Sequence, residues 1–210
     1  MRHFLQVIQR WFWVVALSAI LLTGVAVGYS FYQTPVYEAS AKIMIGQQRD
    51  SDASDALGSA VTGLQQLTRS MTQAVDTRPV AQGVIQKLNL QESPEAFLEN
   101  LTAKQLNDTQ FIEVSYLDTS SEQAELIVNA VGDEFSTQIS DVSPTASPIT
   151  ATVWERAAPP DAPASPDPLR NGLLAFMIGG TLGVGLAFLL EYLDDSRRLR
   201  VTRRKAAQQR

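Results

Sequence analysis

Cysteine is absent from this 210-residue chain, and histidine occurs once, at His3. Without cysteine no disulfide framework holds any part of it, so an oxidising exterior is permitted but not required. Lacking both thiolate and imidazole, the middle of the chain has no zinc site of the usual ligands and no histidine-assisted nucleophile. No G-x-x-x-x-G-K-[ST] stretch occurs, which removes a P-loop kinase from consideration. Carboxylates are plentiful, and a pair of them is what a glycosidase uses. Yet Glu92, Glu95 and Glu99, like Glu122 and Glu125, stand at helical spacings that mark solvated faces. The chain is therefore read as a non-enzyme: catalytic residues none, cofactors none, metal none, and no nucleic-acid partner. An exported carboxylate-dependent glycosidase is the competing enzymatic reading, and it requires measurable turnover.

Charge is missing from two long runs. Residues 11–32, WFWVVALSAILLTGVAVGYSFY, contain none and span about 33 Å as a helix. Residues 173–190, LLAFMIGGTLGVGLAFLL, also contain none and reach about 27 Å. Both suit a hydrocarbon core of about 30 Å. Trp11, Trp13, Tyr29, Tyr32 and Tyr192 sit where an aromatic belt belongs. Two transmembrane helices are predicted, over 11–32 and 171–192. Arg2 and Arg10 precede the first with no acid, and seven basic residues follow Ser196 with no acid. Between the helices, residues 33–170 carry 8 Lys/Arg against 19 Asp/Glu, a net of −11. The positive-inside rule then places both termini (1–10 and 193–210) in the cytoplasm and the acidic middle outside. A cleaved signal peptide is the alternative for the first run. That run is long for such a role, and no clear A-x-A site follows it.

The exported region, 33–157, alternates between two periodicities. Tyr37, Ala39, Ala41, Ile43 and Ile45 share one face of a strand against Glu38, Ser40 and Lys42. From Asp52 to Leu90 the spacing becomes helical, through Leu64, Leu67, Met71 and Val75, then Val80, Val84, Ile85 and Leu88. Pro79 divides that stretch into two helices or kinks one. Ser93 followed by Pro94 predicts a capped short helix. Ile112, Val114 and Tyr116 mark a second strand, and Ile149, Ala151 and Val153 a closing one. Between them Ala124, Ile127, Val128, Val131 and Phe135 form the apolar stripe of a helix capped from residues 119–121. The predicted class is α+β: two transmembrane helices flank an exported α/β domain with a small sheet and helices packed on one face. The first and last strands lead directly to the membrane helices, so they are expected near each other at the membrane-proximal base.

Three features remain. Gly24 with Gly28, and Gly179 with Gly183, form small-xxx-small patterns that allow close helix approach and point to self-association. Glycine is also simply common in membrane helices. Half of the ten prolines (Pro159, Pro160, Pro163, Pro166 and Pro168) crowd into residues 158–170. Extended at about 3.1 Å per residue, they would make a stiff stalk that resists helix propagation from the membrane. A disordered linker would carry more Gly and Ser. Arg197, Arg198, Arg200, Arg203, Arg204 and Lys205 give a basic tail suited to anionic lipids or to an acidic or phosphorylated protein.

Taken in order, PVYEASAKIMI, an α/β domain, the proline run, Asn171, a glycine-bearing helix and FLLEYLDDS (with Glu191, Asp194 and Asp195) resemble the Wzz-type polysaccharide co-polymerases, or chain-length determinants. The resemblance is strongest to the short form that acts as transmembrane modulator of a bacterial tyrosine kinase, and it covers nearly the whole chain. It implies a homo-oligomeric ring that sets the length or amount of an exported capsule or exopolysaccharide. The implied partners are a cytoplasmic tyrosine kinase on a separate polypeptide, the polysaccharide polymerase, nascent polysaccharide and membrane lipids. The exported region is short for the tall helical tower of the longer relatives. The alternative function is an accessory or adaptor subunit of another membrane transporter with an exported binding module.

Overall fold

A computed structural model describes residue 7 and residues 9–47, 57–143 and 148–208, with side chains described outside 57–61 and 194–208. The chain divides into two compact units, one of residues 1–34 with 166–210 and the other of residues 35–165.

The second unit is built on a four-stranded antiparallel sheet in the order β2-β3-β1-β4. Its elements in chain order are β1 (Tyr37–Gln47), α2 (Leu57–Val75), α3 (Arg78–Leu88), α4 (Pro94–Asn100), β2 (Leu101–Gln105), β3 (Phe111–Asp118), α5 (Ser121–Val142) and β4 (Ile149–Glu155). The period-2 pattern of β1 buries Ala39, Ala41, Ile43 and Ile45, and β3 adds Ile112, Val114 and Tyr116 to the same face. Against that face α5 lays Ala124, Ile127, Val128, Val131 and Phe135, all buried. The helices α3 and α4 contribute Val80, Val84 and Phe97 to the one contiguous core. Each fully buried aliphatic or aromatic side chain contributes about 1.5–3 kcal/mol of transfer free energy, so this single face carries the stability of the unit.

Local chemistry fixes the boundaries. The Ser120 hydroxyl accepts from the Gln123 N–H at 3.3 Å and starts α5; Ser93 does the same for Ala96 at 3.2 Å and starts α4. Proline at position 79 falls in the first turn of α3, where its missing N–H costs nothing, so the helical stretch is split there as predicted. The predicted start of that stretch, residues 52–56, lies outside the described residues. Asn89 ends α3 in the left-handed region, with φ 51°. Asn107 and Asp108 both adopt positive φ, 45° and 54°, as a tight hairpin turn between β2 and β3 requires. The sequence reading had no strand at β2. It is five residues long, lies on the sheet edge and follows α4 without a loop, so its alternation is too brief to register.

In the first unit, α1 (Phe12–Tyr32) and the Pro168–Leu193 part of α6 (Pro168–Gln208) are apolar and long enough to cross a membrane. The apolar window of each is little buried by the protein itself: 11% of the residues in one and 17% in the other lie inside. Surfaces such as Leu17, Ile20, Phe176 and Ile178, exposed along most of both helices, match a hydrocarbon surrounding.

Candidate functional site

The two apolar helices form an antiparallel pair tied at three levels. At one end the Arg10 guanidinium donates to both carboxylate oxygens of Glu191, at 3.2 and 3.1 Å, and stands 5.7 Å from the Trp11 ring centre. The Trp11 indole N–H donates to Glu191 Oε2 at 2.8 Å. Charge-assisted bonds of this kind are stronger than neutral ones, and tryptophan suits the interface between oil and water. In the middle, glycine lets backbones meet. A Cβ on Gly179 would lie 2.8 Å from Ala19 Cα, and one on Gly183 would lie 2.8 Å from Val15 Cα and collide with the Ser18 hydroxyl. Ser18 Oγ donates to the Gly179 carbonyl at 2.9 Å, which only that close approach permits. At the far end Asn171 Nδ2 donates to the buried Ser30 hydroxyl at 2.9 Å, and Gly172 abuts Val27. The start of α6 is capped by Asp167, whose carboxylate accepts from the N–H groups of Leu169 and Arg170.

The predicted glycines thus separate. Gly179 and Gly183 face α1 of the same chain, whereas a Cβ added at Gly24 or Gly28 would enter open space. Asn171 joins the pair through Ser30. The α6 backbone stays helical past Glu191 to Gln208, and the side chains of Arg197, Arg198, Arg200, Arg203, Arg204 and Lys205 lie outside the described residues.

The proline run leaves the sheet unit under restraint. Asn129 on α5 brackets Ala157, donating to its carbonyl at 3.2 Å and accepting from its N–H at 2.9 Å. Arg156 is held by Asp133 at 2.8 and 3.3 Å. Pro159, Pro160 and Pro163 follow. The Val36 carbonyl then accepts from the Ala164 N–H, and the Val36 N–H donates to the Ser165 carbonyl, each at 2.8 Å. Pro166 and Pro168 belong to the helical unit. The chain therefore enters and leaves the sheet unit at one hydrogen-bonded point, and β1 and β4 are neighbours as expected.

The sheet face away from the helices carries the remaining organised side chains. A ladder of alternating charge crosses it: Lys104 pairs in register with Glu113, Glu113 with Lys42, and Lys42 with Glu155. Lys42 Nζ donates to Glu155 Oε2 at 2.6 Å, and that bond, with the charges of Glu155 and Glu113, holds the ammonium above the usual lysine range. Trp154 meets Phe111 edge to face at 5.9 Å. On the buried side, burial and the Glu92 carboxylate push the Tyr116 phenol up; its hydroxyl donates to Glu92 at 3.2 Å. At the start of α5, its own backbone N–H and the Ser120 hydroxyl hold the Glu122 carboxyl below the usual range. Among the described residues no three metal-capable side chains cluster.

Sequence reading missed Asp167, Ser30 and the Arg10–Trp11–Glu191 cluster. Asp before Pro at a helix start was a legible capping signal. The others join positions about 140 to 180 residues apart, which no local pattern records.

Comparison with known proteins agrees with this architecture. Residues 1–88 match the Wzz family, described as chain length determinant protein. A probable capsular polysaccharide biosynthesis protein of Bacillus subtilis, YwqC, is 28% identical over 79% of this chain and 66% of its own length, just under two thirds. The capsular polysaccharide biosynthesis protein CpsC of Streptococcus pneumoniae is 24% identical over 88% of this chain and 79% of its own. A solved full-length bacterial polysaccharide co-polymerase shares the fold, with TM-score 0.50 and 12% identity over 91% of this chain and 97% of that one. The match to the Wzz family is carried by residues 1–88, in a chain with an apolar helix near each end and an α/β unit between them in sequence.

Proposed function

We propose that the chain is a membrane-bound, non-enzymatic regulator of surface polysaccharide, capsule or exopolysaccharide, acting on polymerisation, chain length and export. The observation that carries the reading is the closed α/β unit whose two ends meet at Val36 and Ser165, each leading to an apolar helix. Such a unit is held by two membrane anchors at a single point, which suits a scaffold more than a diffusing catalyst. The relatives named for capsular polysaccharide biosynthesis support the same role.

In this reading both termini are cytoplasmic and residues 33–170 are outside, as the flanking charges favour. The protein works as a homo-oligomer, with Gly24 and Gly28 free to meet a neighbouring helix. The basic tail, Arg197 to Lys205, contacts a separate tyrosine kinase, through phosphotyrosine or acidic side chains, or the anionic lipid surface. The polymerase and its nascent chain are the partners outside. The test is deletion of the gene with plasmid complementation, followed by sizing of the surface polymer. A changed length distribution that complementation restores supports the role; an unchanged one refutes it.

A further inference from the structure

The geometry points to the open face of the sheet as a binding platform for a stretch of sugar chain, centred on Trp154. The inference rests on the co-polymerase reading and deepens it by giving the polymer a place on this chain.

A β-bulge builds the platform. Along β4, Thr150 and Thr152 face outward, while Ala151 and Val153 turn toward the core. Strict alternation would put Trp154 outward and return Glu155 to the core. Instead the register slips: Lys42 pairs with Glu155 and Ile43 with Val153, leaving Trp154 as the extra residue. The bulge re-aims the strand end so that Trp154 and Glu155 both reach the open face. Trp154 is 64% exposed there, and the edge-to-face contact with Phe111 orients its ring.

What surrounds the aromatic pair decides the occupant. One row along the strands holds the charge ladder Lys104–Glu113–Lys42–Glu155. The next holds hydroxyls: Thr102 beside Ser115, and Ser115 bonded to Ser40 at 2.9 Å. The buried centre of a subunit interface is depleted of charge; here two lysines and two carboxylates cross the middle of the face. A polyhydroxylated chain fits better. The apolar C–H face of a pyranose ring stacks on an indole, and its hydroxyls both donate to carboxylates and accept from ammonium groups. The ladder is balanced, two charges of each sign, so it suits an uncharged or weakly charged glycan inside a domain that is otherwise strongly acidic. From the Met44 row to the Ser40 row is about 13 Å and across the four strands about 14 Å, room for more than one ring.

The experiment uses the full chain in lipid nanodiscs and, as probe, fragments of the producing cell's own surface polysaccharide released by mild acid. Binding is followed by saturation-transfer NMR and titration calorimetry. Wild-type protein is expected to bind, Trp154→Ala to weaken binding about tenfold or more, and Trp154→Tyr to recover most of it. Trp154 is exposed, so the unfolding temperature should stay unchanged in both variants. No binding by the wild type, or equal binding by Trp154→Ala, overturns the platform. So does loss of self-association in Trp154→Ala with sugar binding intact, which would make the face a subunit contact. None of these outcomes touches the effect of gene deletion on polymer length, so the broader role is judged separately.

Discussion

Replacing Gly179 by leucine tests whether the two membrane helices are held together by close backbone approach. A Cβ at 179 would stand 2.8 Å from Ala19 Cα, 3.0 Å from the Ser18 carbonyl oxygen and 3.3 Å from Leu22 Cβ. Carbon atoms rest at about 3.5–4.0 Å, so the helices must part by about 1 Å at this level. The Ser18–Gly179 bond, 2.9 Å long, then breaks. Overpacking costs about 1–3 kcal/mol, and an interhelical hydrogen bond in a membrane contributes about 0.6 kcal/mol. The combined loss is about 2–3 kcal/mol, a thirtyfold or larger shift in pairing. Gly24→Leu is the matched control for pairing within one chain, because a Cβ at Gly24 would enter open space. The cysteine-free chain accepts spin labels at Leu21→Cys and Leu186→Cys, both exposed. Labelled protein is diluted with unlabelled so that only pairs within one chain report. Electron–electron distance measurement should give a narrow distribution for wild type and Gly24→Leu, and a longer, broader one for Gly179→Leu. Superimposable wild-type and Gly179→Leu distributions would refute the reasoning, as would equal broadening in Gly24→Leu.

Four further outcomes follow, two from the packed core and two from the proposed function. Cysteine at position 100 should be labelled by an impermeant reagent from outside and cysteine at 205 spared; labelling of both would overturn the orientation. Tyr116 is protonated more firmly in the folded state than the ordinary tyrosine pKa of about 10, so its contribution to stability is complete below about pH 10 and is lost as pH rises beyond it. In thermal unfolding of the full chain, Tyr116→Phe should therefore lose less stability than wild type between pH 9 and pH 11, and an equal loss would contradict this. Ile127→Ala, at a fully buried site on α5, should cost about 2–5 kcal/mol, read as a lower urea midpoint with unchanged slope; an unshifted midpoint would remove α5 from the core. On the proposed kinase contact, deletion after Asp195, with two lysines kept for orientation, should leave membrane insertion intact and abolish stimulation of the proposed kinase's autophosphorylation. Full stimulation by the truncated protein would leave the tail as an anchor only.

What could be read in the sequence was whatever repeats along the chain. The stripe Ala124–Phe135 and the alternations in β1, β3 and β4 each announce a face, and all pack on one core. Ser93 and the Ser/Thr run 119–121 announce caps that form, the second at Ser120. Features set by a partner far along the chain stayed hidden. Nothing about Glu191 locally names Arg10 and Trp11 as its donors, and Gly179 looks like Gly24 until their neighbours are known. The bulge at Trp154 was equally silent, because only the register against Lys42 and Ile43 exposes it.

The most direct test of the central claim is the length distribution of the surface polymer as expression of this protein is titrated in a strain lacking its own copy. A chain-length regulator predicts that the distribution moves and narrows about a preferred length as the protein rises, with the repeat unit unchanged. A constant distribution in which only the total amount of polymer changes would contradict the account.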